Sequence, residues 1–306
     1  MRDPIEPFLL DPERLQLLAE QHRREYTAAD PYPHIVIDDL LPKTVLDRVI
    51  SEIPRPDEIG WMEFNDARGK KLASKVEMQL GGATQALLYQ LNSSVFIDFL
   101  ETLTGIHGLI PDPHFLGGGV HQIVRGGFLK IHTDFNRHPR LKLDRRLNLL
   151  LYLNPRWEEE WGGQLELWDH DMTQCRKKIL PIFGRCVLFS TTDFSNHGHP
   201  DPLNCPEGIT RKSLALYYYS NGRPRSETTG EHYTTPFRRR PGEKPFLTPG
   251  TIAQNLLPPI VISMISALRH RRQDGAESAR LARRHLCTAS CAPMSKSCWQ
   301  RTSPVF

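Results

Sequence analysis

Cysteine is scarce and unpatterned, with six in 306 residues. Cys287, Cys291 and Cys298 crowd the end of the chain, while Cys175, Cys186 and Cys205 are scattered through the middle. Neither a disulfide framework nor a zinc-finger spacing is present, so reduced thiols in a cytoplasmic protein are expected. Long apolar runs are also lacking. The run Leu256 to Leu268 is broken by Pro258-Pro259 and falls short of the roughly 20 residues a spanning helix needs. It is expected as a short amphipathic helix lying on the domain, and no transmembrane segment is expected. The start, Met1-Arg2-Asp3-Pro4-Ile5-Glu6, has no apolar stretch behind it, which argues against a secretory signal. Net charge is only +4, and Arg269, Arg271, Arg272, Arg280, Arg283 and Arg284 cluster without interleaved aromatics. That pattern describes a solvated tail, so no nucleic-acid partner is expected.

What is present is a change of period along an ordinary globular composition, 39% hydrophobic and 24% charged. Residues 1–105 read as a mainly helical part. Asp11-Pro12 caps a helix running through Glu20, Pro42 to Ile53 forms another, and Ala83 to Leu91 and Val95 to Leu103 flank the capping run Asn92-Ser93-Ser94. A short strand is expected over Pro33–Asp39. Residues 106–222 carry short alternating runs separated by Gly, Pro, Asp and Asn. Strands are expected at Val120–Val124, Phe128–His132, Arg146–Leu153, Gln164–Trp168, Lys178–Pro181, Cys186–Ser190 and Arg211–Ser220. Many short strands without intervening helices imply an antiparallel sandwich or barrel, with the helices covering one face. Residues 223–306 form a basic extension without usable periodicity, partly disordered by composition.

One strand carries a metal-ligand pattern. In Phe128-Leu129-Lys130-Ile131-His132-Thr133-Asp134, residues two apart share a face, so His132 and Asp134 project together. A second imidazole from a distant strand would complete the 2-His-1-carboxylate set that suits Fe(II) and leaves adjacent positions open. Alone, His-x-Asp is a weak signal, since about one such pair is expected by chance in a chain with this many histidines. A second copy, His199-Pro200-Asp201, is read as a decoy because Pro200 cannot donate to a ladder. Both His197 and His199 are candidates for the third ligand, and spacing alone does not separate them.

A second constellation lies downstream. In Arg211-Lys212-Ser213-Leu214-Ala215-Leu216-Tyr217, Arg211 and Ser213 share one face and Lys212 takes the other. A guanidinium on an inward face needs an anionic partner, and its fork suits a carboxylate. An internal salt bridge is the plain alternative. The run Arg146–Asn154 splits into an apolar face (Leu147, Leu149, Leu151, Leu153) and a mixed one, on which Asn148 and Tyr152 could line a polar pocket. The loop Phe135 to Asp144, with Arg137, His138, Arg140 and Lys142, is expected to border a substrate entrance.

With these residues in hand, the chain resembles the iron(II)- and 2-oxoglutarate-dependent oxygenases, in particular their prolyl 4-hydroxylase-like branch. The likeness spans roughly Pro31 to Pro224 and rests on Gly126–Asp134, Arg145-Arg146-Leu147-Asn148, Trp161–Leu167, His197-Gly198-His199-Pro200 and Arg211-Lys212-Ser213. It implies a double-stranded β-helix (a cupin-like jelly roll) of mainly β class with flanking helices, α+β overall. It favours His197 over His199 as ligand, with His132 and Asp134. It implies Arg211, rather than Lys212, as the anchor for the distal carboxylate of 2-oxoglutarate, aided by Ser213, Tyr152 and Asn148. Hydroxylation of an unactivated C–H of a proline-like, peptidyl or other small polar substrate follows, with O2 consumed, succinate and CO2 as co-products and L-ascorbate as an auxiliary reductant. Two rivals are a non-catalytic cupin-like binding protein and a zinc hydrolase. The first has no need for three ligands and an arginine together, and the second gives Arg211 no task.

Overall fold

In the computed structural model, the described residues are 10–244 apart from Val76. They fall within one compact unit, residues 1–246. The helix expected at Leu256–Leu268, the arginine cluster and the tail from Cys287 lie outside the described residues.

The chain opens with α1 (Pro12–Ala28), started by Asp11, whose carboxylate accepts from the Arg14 amide at 3.1 Å. There follow β1 (His34–Ile37), α2 (Lys43–Glu52), the hairpin β2 (Met62–Asp66) and β3 (Gly69–Ala73), α3 (Gly82–Leu91) and α4 (Ser94–Thr104). Ser93 stands at the N-cap of α4 but does not cap it, because its hydroxyl donates back to the Gln90 carbonyl. The strands β4 (Ile110–Pro111), β5 (Gly119–Ile123), β6 (Phe128–His132), β7 (Asp144–Tyr152), β8 (Leu165–Trp168), β9 (Cys175–Ile179), β10 (Cys186–Ser190), β11 (His197–His199) and β12 (Arg211–Ser220) complete the order. The hairpin and the three-residue β11 were not expected from sequence.

All pairings are antiparallel, and the strands run β1-β10-β7-β12-β5-β3-β6-β11-β8-β9. This order folds over on itself as a jelly roll. Tyr152, Val187 and Phe189 from one half pack against Leu165, Leu167 and Ile179 from the other. Leu147, Leu149, Leu151 and Leu153 point the other way, into a core shared with Leu15, Leu88, Phe96 and Leu100 of the helices. The alternation in β7 therefore separates a helix-packing face from a face that looks into the roll.

Beyond β12 the chain turns back over the roll. The Thr133 amide donates to the Pro236 carbonyl (3.0 Å) and the Arg238 amide to Ile131 (2.7 Å). This strap is pinned by Asp193, whose carboxylate accepts from the Thr229 amide (2.6 Å), the Thr229 hydroxyl (2.8 Å) and Asn136 (2.9 Å). His232 Nε2 lies 2.8 Å from the same group.

Candidate active site

β6 ends at His132 and β11 begins at His197, and the two are direct cross-strand partners. Their rings lie 4.4 Å apart, and Asp134 follows β6 by two residues. His132 Nε2 sits 3.8 Å from Asp134 Oδ1, and His197 Nε2 sits 3.5 Å from Oδ2. One ligand atom from each residue lies within 4.8 Å of the other two, and this is the metal-competent cluster among the described residues.

Hydrogen bonds fix which nitrogens face inward. His132 Nδ1 lies 2.8 Å from the Lys130 carbonyl and His197 Nδ1 lies 2.9 Å from the Ser195 carbonyl. A carbonyl only accepts, so each Nδ1 carries the proton and each Nε2 presents a lone pair toward Asp134. Burial keeps both rings neutral, holding His197 below the usual imidazole value and His132 at about 3. Burial alone would raise the carboxyl of Asp134, but Arg145 and the two imidazoles outweigh it and hold it well below the carboxylate range. Asn148 donates to Asp134 Oδ2 at 2.6 Å, and the Arg145 guanidinium is 3.2 Å from that oxygen. Asn148 thus spends its amide on the carboxylate, and its own oxygen accepts from Arg145 Nε and Nη2 (2.9 and 2.7 Å).

The rival His199 is buried on the same short strand, but it does not join the cluster. Gly198 between the two histidines has no room for a side chain, since a Cβ there would lie 2.8 Å from the Leu129 carbonyl oxygen. The decoy carboxylate, Asp201, is exposed and paired with Arg240 at 2.6 Å.

Deeper in the roll Arg211 is 4% exposed. Its Nε donates to the Gly163 carbonyl (2.8 Å) and Nη2 to the Tyr152 hydroxyl (3.2 Å), with the guanidinium 4.9 Å over the Tyr152 ring. No carboxylate of the described residues pairs with it, and burial pulls its pKa down. Ser213 is buried on the same strand, while Lys212 lies on the opposite face, its ammonium 3.4 Å from the Thr210 carbonyl. Beside Arg211, both ring nitrogens of His199 are buried without a hydrogen-bond partner. Among the described residues, then, the guanidinium is buried without an anion and the imidazole without a hydrogen-bond partner, an arrangement costly to keep.

Arg145 and Lys71 line the cleft beside His132 and Asp134, and neither was expected there from sequence. Simple alternation places Arg145 opposite Asn148. A register shift in the β7–β12 pairing, from Tyr218↔Leu147 to Tyr219↔Arg145, turns it inward. The Phe135–Asp144 loop contributes Phe135 and Pro139 to the cleft above the ligands, but not its cations. Arg137 is paired with Asp144 (3.1 Å), and His138 is fully buried beside Asp112, so these two side chains are engaged within the fold.

Residues 118–219 match the family model described as the 2OG-Fe(II) oxygenase superfamily. That stretch carries the His-Asp-His cluster, and it is this part of the chain that is similar to the superfamily. Among curated proteins, mouse prolyl 3-hydroxylase OGFOD1 is 30% identical over 101 residues, covering 32% of this chain and 18% of the relative's length. Similar solved structures include a Pseudomonas putida prolyl-4-hydroxylase (18% identity, TM-score 0.48, 67% of this chain and all of that one). Another is HygX from Streptomyces hygroscopicus (12% identity, TM-score 0.43, 73% of this chain and 96% of that one).

Proposed function

We propose that the protein is an Fe(II)- and 2-oxoglutarate-dependent hydroxylase acting on a proline-like or peptidyl substrate. The observation carrying this reading is that one barrel holds both a three-donor metal cluster and a buried arginine with no carboxylate partner among the described residues. His132, Asp134 and His197 would hold the iron through two neutral Nε2 atoms and one carboxylate, the donor set that suits Fe(II). Arg211, helped by Tyr152 and Ser213, would take the distal carboxylate of 2-oxoglutarate.

Bound together, the metal and 2-oxoglutarate supply the oxidising power, with O2 consumed, succinate and CO2 released and a hydroxyl delivered to an unactivated C–H. The protein's own share is orientation and exclusion. Asn148 and Arg145 keep Asp134 ionised and fixed, the two backbone carbonyls hold the imidazole tautomers, and the strap walls the cleft. The prolyl bias rests on the similarity to OGFOD1. Ascorbate dependence is part of the same reading. The described cysteines, Cys175, Cys186 and Cys205, are free, which supports a reducing, cytoplasmic setting. No helix of the described residues is long and apolar enough to cross a membrane.

Anaerobic titration with Fe(II) and 2-oxoglutarate, followed by a succinate assay in O2, tests the reading. Succinate that depends on both additions and is lost in Asp134→Ala supports it. A protein that binds the co-substrate yet makes no succinate is a binding module instead.

A further inference from the structure

Above the ligands lies a cleft of about 570 Å³, running between the β2–β3 hairpin and the strap residues Tyr233, Thr234, Thr235 and Phe237. Its lining holds four cationic side chains, Arg68, Lys71, Lys75 and Arg145, and two acidic ones, Asp66 and Asp134. Arg68 pairs with Asp66 at 2.6 Å and Arg145 with Asp134 at 3.2 Å. Two of four cations are thereby matched, and Lys71 and Lys75 are left over. Lys75 is exposed at the rim, whereas Lys71 is half-buried. No hydrogen bond or ion pair of the described residues engages the Lys71 ammonium, which lies 4.9 Å from the centre of the Phe64 ring.

The reading above gives the distal carboxylate of 2-oxoglutarate to Arg211, deeper in the roll, and would leave its other carboxylate to the metal held by His132, Asp134 and His197, so neither is assigned to Lys71. Two extended segments form the cleft walls, and β2 pairs with β3 alone along one edge, leaving its residues exposed. Such an open edge suits an extended chain, which can add its own backbone hydrogen bonds.

We propose that Lys71 receives an acidic side chain of the primary substrate, and that this substrate is a peptide carrying Asp or Glu close to the hydroxylated residue. The proposal rests on the hydroxylase reading and adds to it a rule for substrate choice. Burial, with Arg145 and Arg211 nearby, pushes the Lys71 ammonium down to about 8 despite the attraction of Asp134. An arriving carboxylate would relieve that cost, and an amide in its place would not. Specificity then comes from a half-buried cation that goes unpaired with the wrong peptide.

The test uses the full chain loaded anaerobically with Mn(II) and 2-oxoglutarate and a degenerate library of capped peptides with a fixed central proline. Bound peptides are identified by mass spectrometry. The wild type should enrich Asp or Glu at a flanking position by about tenfold, the scale of one charge-assisted hydrogen bond. Lys71→Met should erase that enrichment, Lys71→Glu should replace it with Lys or Arg, and Lys71→Arg should preserve it. No peptide capture, no acidic enrichment in the wild type, or enrichment unchanged in Lys71→Met overturns the proposal. So does a Lys71→Met variant whose affinity falls for 2-oxoglutarate alone. Succinate formation by the wild type without acidic enrichment sinks this inference and leaves the hydroxylase reading standing. Absence of succinate sinks the latter.

Discussion

Two buried charges in one barrel are treated in opposite ways. Asp134 is surrounded by what it needs, with Arg145 and Asn148 on one carboxylate oxygen and two imidazoles in front. Arg211 has a carbonyl and a phenol but no counter-charge among the described residues. The carboxylate end is complete within the chain, whereas the guanidinium end awaits a ligand. A fold does not retain a desolvated, unpaired cation for stability, since an apolar residue of the same volume would serve as well or better. On the proposed reading, the asymmetry makes Arg211 a binding group and Asp134 a group held ready.

That contrast can be broken by substitution in the metal-free protein. Asp134→Leu strands Arg145 and should cost about 3–5 kcal/mol of unfolding free energy in a denaturant titration, besides abolishing metal binding. Arg211→Met should do the reverse, raising stability by up to about 4 kcal/mol while weakening 2-oxoglutarate binding. A loss of stability at both positions would mean that Arg211 is structural. Asn148→Ala loosens the carboxylate without removing it, so metal affinity should fall by about 10–100-fold, read by competition with a chelating dye.

The strap offers a smaller, pH-dependent effect. Burial pushes the Asp193 carboxyl up, but the Thr229 amide, His232, the Thr229 hydroxyl and Asn136 outweigh it and hold it at about 2. Its folded value lies below the unfolded one near 4, so its contribution is present above pH 4 and is lost as pH falls toward 2. At pH 6, Asp193→Asn should be less stable than the wild type by about 2 kcal/mol, and the gap should shrink to a few tenths of that by pH 2. Tyr152→Phe removes one hydrogen bond to Arg211 and should change the co-substrate binding free energy by about 1 kcal/mol or less, measured calorimetrically.

Much of the site was legible in the chain because strand alternation is a local rule. His132 and Asp134 on one face, Arg211 inward with Lys212 outward, and the leucine face of β7 all follow from a period of two. What stayed hidden depended on breaks in that rule. Arg145 enters the chamber only because of a register shift against β12. β11 is three residues long, and its Gly198 is dictated by the backbone of a strand far away in sequence. The β2–β3 hairpin buries little of its β2 strand, so no apolar alternation announces it, yet it supplies Lys71. The strap has no periodicity because backbone bonds and Asp193 hold it in place of an apolar face.

The most direct test compares 2-oxoglutarate with 2-oxovalerate, which keeps the keto acid but lacks the distal carboxylate, by calorimetry on Mn(II)-loaded protein. Wild type should prefer 2-oxoglutarate by about 100-fold, the scale of a buried, charge-assisted carboxylate contact, and Arg211→Met should bind the two alike. Equal binding of both acids by the wild type would contradict the account.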